Sequence, residues 1–167
     1  RYGEIYELYA TEEAWERNED ILDGYEPTII SLEVAEALSE TVTPQGLVAV
    51  APLITVELGE ALAKSPTLVV VLLEARDPGN AGTVIRVADA AGADAVIFVG
   101  DSVEPHNGKC VRASAGSHFH LPIAQCHRID DAFDALTHAG LATFATAGEA
   151  PQSLDELLDS GQLAGPH

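Results

Sequence analysis

The sequence predicts an α/β protein of two units, the second built on a doubly wound parallel sheet. Leu68–Leu73 (LVVVLL) and Ala95–Val99 (AVIFV) are continuous apolar runs rich in β-branched residues, as in strands covered on both faces. A helical stretch lies between them, and strand–helix–strand order calls for parallel pairing with right-handed crossovers. The first third alternates strand and helix signals in the same way, and a segment holding Pro52, Gly59 and Pro66 separates the two units.

Taken in order, Glu4–Ala10 (EIYELYA) alternates at period two, like a half-buried strand. Thr11 is a plausible N-cap, followed by Glu12 and Glu13 where the helix dipole favours acids. Thr28–Leu32 reads as a strand, Ser31 opens a helix through Leu38, and Gly46–Ala51 (GLVAVA) is a third strand. Parallel pairing is expected throughout this unit. Residues 1–52 therefore form the first domain, 53–66 a linker with a short helix, and 67–167 the second domain. In the second, a turn at Asp77–Asn80 follows the first strand, and a helix runs from Thr83 to about Ala91, ended by Gly92. Beyond a polar loop come strand 121–124, helix 129–139, strand 141–146 and helix 153–158.

The 167 residues carry 8 bases against 27 acids, a formal net charge of −19, with 47% hydrophobic residues. Such a chain has ample apolar surface to fold. Cys110 and Cys126 make no disulfide framework and suit a reducing cytoplasm. The longest uncharged stretch, 41–56, is broken by Pro44 and Pro52 and is too short for a membrane span. The absence of Met leads us to expect an incomplete gene product. Residues 1–66 hold 14 acids and 3 bases; the remaining five bases, Arg76, Arg86, Lys109, Arg112 and Arg128, all fall within 76–128. An acidic protein repels polyanions at long range, yet a local gathering of cations can serve an anionic ligand.

Ligands of open α/β sheets sit outside the carboxyl ends of the strands, here in loops 74–82, 100–118 and 146–152. Arg86, expected one turn into its helix and opposite a Val84–Val87–Ala88–Ala91 stripe, would lean back over the Asn80 loop as a phosphate clamp. Asn80 as a simple cap, Gly79 and Gly82 as turn residues, and Arg86 as a solvated side chain explain the same residues equally well. There is no GxGxxG, no GxxxxGK[ST], no GxSxG and no metal-ligand spacing of His and Cys, so no metal is expected. The histidines read as packed or surface residues, with a ribose contact by His118 as the other reading. Trp15, Tyr2, Tyr6 and Tyr9 are expected in the core of the first unit, with a base-stacking platform as their alternative.

Two runs carry a resemblance: DPGNAGTVIRVADAAGADAVIFV (Asp77–Val99) and KCVRASAGSHFHLPI (Lys109–Ile123) resemble the first and second motifs of the SpoU/TrmH family of RNA ribose 2′-O-methyltransferases, in the SPOUT superfamily. The resemblance implies a trefoil-knot type second domain, preceded by a ribosomal-protein-like α/β domain that binds RNA. It implies S-adenosyl-L-methionine as cofactor, ribosomal or transfer RNA as substrate, and a cytoplasmic homodimer. Asn80 and Arg86 match its first-motif catalytic residues, and Lys109, Arg112, Ser114 and Gly116 the second motif near RNA and the dimer interface. Thr146, Ala147 and Gly148 match the loop that touches the adenosyl group. The family's third motif is not in this sequence, so the knot and the cofactor site are expected to be incomplete and both ends clipped. A non-catalytic RNA-binding or assembly protein is the alternative, and a small-molecule nucleotide enzyme ranks below it.

Overall fold

The computed structural model describes residues 4–167 apart from Glu40, Gly148 and Ala164. The chain divides into two compact units, the first ending at Leu53 and the second running from Ile54 to His167.

In the first unit, β1 (Glu7–Ala10) is the central strand. Thr11 caps α1 (Glu12–Arg17), its hydroxyl accepting the Ala14 N–H, and Ser31 caps α2 (Leu32–Leu38) through the Val34 N–H. β2 (Thr28–Ile29) pairs parallel to β1, with Tyr9 opposite Thr28. β3 (Leu47–Val50) pairs antiparallel, Glu7 opposite Val50, so the expected all-parallel unit is a mixed sheet. The reversal is made at Gly46, at φ 77°, whose carbonyl accepts the Thr11 N–H at 2.9 Å. A Cβ there would lie 2.6 Å from the Thr11 hydroxyl oxygen, so only glycine lets the chain turn back along β1. The buried residues are small: Leu8, Ala10, Ala14 and Ala35. Of the aromatic residues expected in this core, Trp15 and Tyr9 are half-buried at its edge, Tyr6 is 61% exposed, and Tyr2 lies outside the described residues.

In the second unit, α3 (Leu58–Ala61) lies in the segment expected as a linker and packs against the sheet, Val56 bridging to Ala124. The sheet is parallel, in the order β4 (Val69–Leu73), β5 (Ala95–Val99), β6 (Ile123–Cys126). β5 is buried throughout, and its alternate side chains divide the core. Val96 and Phe98 meet Ala81, Ile85 and Ala88 of α4 (Pro78–Ala90) and Cys110 of α5 (Gly108–Ala113). Ile97 and Val99 meet Ala132 and Leu136 of α6 (Ile129–His138) on the other face. Helices therefore cover both faces. A capping box of Ser153 and Glu156 starts α7 (Leu154–Asp159).

Several expectations are corrected. β4 is an edge strand, half-buried rather than enclosed on both faces. Residues 141–146 form no strand. Leu141 is buried, but the only described backbone pairing of this stretch to an extended neighbour is the Ala142 N–H to the Pro166 carbonyl, 2.9 Å. A β-favouring composition without an adjacent strand makes no ladder. α4 begins at Pro78 with Asp77 as N-cap, so the expected turn is the helix's first turn and Asn80 caps nothing. The stripe facing the sheet is Ala81–Ile85–Ala88, and Val87 is 59% exposed.

α4 and α5 touch at Gly82, where a Cβ would stand 2.2 Å from the Cys110 carbonyl oxygen and 2.7 Å from the Ala113 Cβ. Gly82→Ala is expected to force the helices apart. Overpacking of roughly 1–3 kcal/mol, less the ~1 kcal/mol that alanine gains over glycine in a helix, predicts a net destabilisation of up to about 2 kcal/mol. Urea unfolding of the two proteins measures it.

Candidate active site

The α4/α5 face holds the two described guanidiniums that no internal partner claims. Arg76 is tied to Glu74 at 3.3 Å and Asp101 at 3.6 Å, and Arg128 to Asp131 at 3.1 Å. Lys109 reaches Asp77 at 3.3 Å. The Asp77 carboxylate also accepts the Asn80 N–H at 2.7 Å, and that bond, with help from Lys109, holds it below the usual carboxylate range. Arg86 and Arg112 are exposed and have no ion pair or side-chain hydrogen bond among the described residues.

Backbone geometry sets their placement. Arg86 follows Gly82 by four residues and Gly79 by seven, so it lies on the side of α4 that meets α5. Lys109 flanks Gly79, its Cε 3.0 Å from where a Cβ would be, and Ala113 flanks Gly82. α5 ends at Ala113, short of Arg86, and leaves its guanidinium uncovered. Arg112 is one turn beyond Lys109 on α5. Further along α4, Asp89 receives His120 Nδ1 at 2.9 Å, and its carboxyl is lowered by Ser117 and His120. Ser114 is fully buried, its hydroxyl donating to the Val111 carbonyl at 2.7 Å, so it closes α5 from within. Gly116, at φ 95°, turns the chain into a 3-10 turn at Ser117–Phe119.

A second feature is a cleft of about 710 Å3 along the outer edge of β4, where the Val69 N–H donates to the His167 carbonyl at 2.8 Å. Its walls include Leu72, Val84, Phe133, Phe144 and Thr146. Residues 142–147 are exposed and irregular, and 142–146 line one side. At its upper end the Ser102 hydroxyl joins the ends of β4 and β5, accepting the Ala75 N–H at 3.0 Å and lying 3.1 Å from the Leu72 carbonyl.

The structure brings Lys109, Arg112 and Arg86 to one face but separates Arg86 from both Asn80 and the cleft. With α4 starting at Pro78, Arg86 lies six residues past Asn80, about 9 Å along the helix axis, and does not lean over it. Val84 faces the cleft, and Arg86, two residues on, points roughly 200° around the helix. Thr146 lines the cleft and Ala147 is exposed beside it, whereas Gly148 lies outside the described residues. The sequence reading missed α5, too short for a helical period to register. It also left ambiguous His118, which is buried with neither ring nitrogen hydrogen-bonded.

Comparison with known proteins places this geometry. The family model for the SpoU rRNA methylases matches residues 67–164. The chain belongs to the SpoU rRNA methylase family. A Bacillus subtilis 23S rRNA guanosine 2′-O-methyltransferase is 34% identical over 146 residues, covering 87% of this chain and 56% of the relative. An AdoMet-bound rRNA methyltransferase from Sinorhizobium meliloti superposes with a TM-score of 0.67 at 29% identity, over 82% of this chain and 52% of that one. The methyltransferase AviRb from Streptomyces viridochromogenes, in complex with AdoMet, gives a TM-score of 0.67 at 25% identity, over 81% and 52%. The chain thus spans about half the length of the SpoU relatives it matches. Both described features, the α4/α5 face and the β4 cleft, lie in the stretch that the SpoU model covers. Among the described residues no helix is long and apolar enough to cross a membrane.

Proposed function

We propose that the protein methylates a ribose 2′-hydroxyl of ribosomal or transfer RNA, with S-adenosyl-L-methionine as donor, as a cytoplasmic homodimer. The observation that carries this reading is the pair of unclaimed guanidiniums, Arg86 and Arg112, beside Lys109 on one rigid helical face. Family membership supplies the reaction, and a trefoil-knot form of residues 67–167 rests on it too. RNA contact by Lys109 and Arg112 lies in the second unit, and the RNA-binding role of residues 1–52, which hold 12 acids and only 2 bases, rests on the resemblance alone.

The chain's own residues suit the task. An RNA phosphate meets Lys109 and Arg112 as charge-assisted donors. A guanidinium offers no acceptor lone pair, so Arg86 is not the base that takes the hydroxyl proton. It holds the ribose in line and stabilises the alkoxide that develops as the proton passes to solvent. The donor, when bound, offers a sulfonium methyl to that oxygen. The chemistry of the cleft fits such a ligand: apolar walls for an adenine ring, the Thr146 hydroxyl, and exposed backbone at 143–147 with amide and carbonyl groups to pair.

Arg86 and the cleft lie on opposite sides of α4, which favours a site shared between two copies. Full-length protein should transfer label from S-adenosylmethionine to RNA, in linkages that then resist alkaline cleavage. Alkali-labile product would refute ribose methylation, and absence of cofactor binding would favour the non-catalytic reading. Mixing inactive Arg86→Ala copies with inactive Thr146→Trp copies should restore about a quarter of wild-type activity, because half the dimers hold one intact shared site. No recovery would place the whole site in one copy.

A further inference from the structure

The chain's only Trp and all four of its Tyr fall within the first 25 residues. Trp15 and Tyr25 line a groove of about 390 Å3 together with Ile29, Glu12, Glu16 and Glu26. Tyr25 and Glu26 continue into a second groove, of about 560 Å3, that holds Tyr6, Tyr9 and Glu7. Neither is lined by a Lys, Arg or His. Arg17, the one base among the first unit's described residues, is engaged with Glu13 at 3.7 Å and with the Gln45 carbonyl at 3.0 Å. Glu7 accepts the Tyr9 hydroxyl, whereas Glu12, Glu16 and Glu26 have no ion pair or side-chain hydrogen bond among the described residues.

We propose that this surface of the first unit docks a basic polypeptide segment, seating its Arg or Lys side chains over Trp15 and Tyr25 between the carboxylates of Glu12, Glu16 and Glu26. Aromatic faces attract cations through the ring quadrupole, and unpaired carboxylates on the rim add charge complementarity. Exposed Tyr and Trp are the residues that protein interfaces enrich. RNA is disfavoured: single strands need a cationic track beneath the phosphates as well as rings to stack on, and here the track is anionic. The proposal stands apart from the methyl-transfer step, whose candidate residues Arg86, Lys109, Arg112 and Thr146 all lie in the second unit.

Trp15 is its own reporter, since no other indole contributes to the emission. The whole chain is titrated with a short peptide of alternating arginine and glycine, and separately with a single-stranded RNA of equal length. The peptide should change Trp15 emission saturably while the RNA leaves it unmoved. Glu12→Gln/Glu16→Gln/Glu26→Gln should weaken peptide binding by roughly tenfold or more, and Tyr25→Leu should weaken it with the charge untouched. Glu19→Gln/Glu33→Gln/Glu36→Gln removes equal charge outside both grooves and should bind as the parent does. A saturable response to RNA in place of peptide, equal losses in the two triple variants, or no saturable response would each overturn the proposal.

Discussion

Arg86→Ala is expected to lower methyl transfer by roughly 10²–10³-fold, the scale of removing one preorganised donor from a developing oxyanion. The loss should appear mainly in kcat, because a group that stabilises the alkoxide acts more strongly in the transition state than in the bound ground state. Arg86 is exposed and has no internal hydrogen bond or ion pair to lose, so its removal should leave the unfolding midpoint nearly unchanged. Arg86→Lys should recover only part of the rate, since an ammonium keeps the charge without the planar fork. Lys109→Ala should instead raise KM for RNA. Steady-state kinetics alongside urea unfolding separate these outcomes. Full activity in Arg86→Ala would remove this residue from the mechanism.

Acid should destabilise the second unit through His118. Its imidazole is buried, edge-on to His106 with ring centres 5.2 Å apart, and neither nitrogen is hydrogen-bonded. Burial, reinforced by repulsion from His106, pushes its pKa down from 6.5 to about 4. His106 is lowered as well, by burial, with Glu104 opposing. Between pH 6.5 and 4 the unfolded chain takes up a proton at His118 that the folded chain refuses. Stability from this residue is therefore complete above pH 6.5 and falls as the pH drops through that window. At pH 5 the loss is about 2 kcal/mol. Other carboxylates titrate nearby, so the measurement is the difference in urea unfolding between pH 7.5 and 5 in wild type and in His118→Leu. The variant should lack about that much of the pH effect. Identical pH dependence in the two would show that water reaches the ring.

Local chemistry was legible wherever one residue decides the outcome. Thr11, Ser31 and Ser153 each cap the helix that their position announces, and the continuous apolar run of β5 is the buried centre of its sheet. What depends on neighbours was not. Asp77-Pro78-Gly79-Asn80 satisfies the rules for a turn and for a helix start alike, Pro being favoured at both places. The extra turn that results moves Arg86 away from Asn80. Residues 141–146 have strand-like composition, but pairing is a property of two segments, and the described pairing here is one bond, from the Ala142 N–H to the Pro166 carbonyl. Trp15, Tyr6 and Tyr9 looked like core because large aromatics generally are; around an interior lined by Ala10, Ala14 and Ala35, Trp15 and Tyr9 are only half-buried and Tyr6 is exposed. For the candidate site, residue identities were readable and their grouping was not: which cations already have partners emerges only in three dimensions.

The contact at Gly82 bears on how this chain can vary. Because one helix rests directly on the main chain of the other there, the distance between Arg86 and Lys109 is inherited from two backbones rather than from the bulk of interior side chains. Residues beneath, such as Ile85 or Phe98, can drift among hydrophobic shapes without re-spacing the charges above them. A single atom added at Gly82 would shift the spacing at once, which makes the smallest residue in α4 the gauge of its charged face.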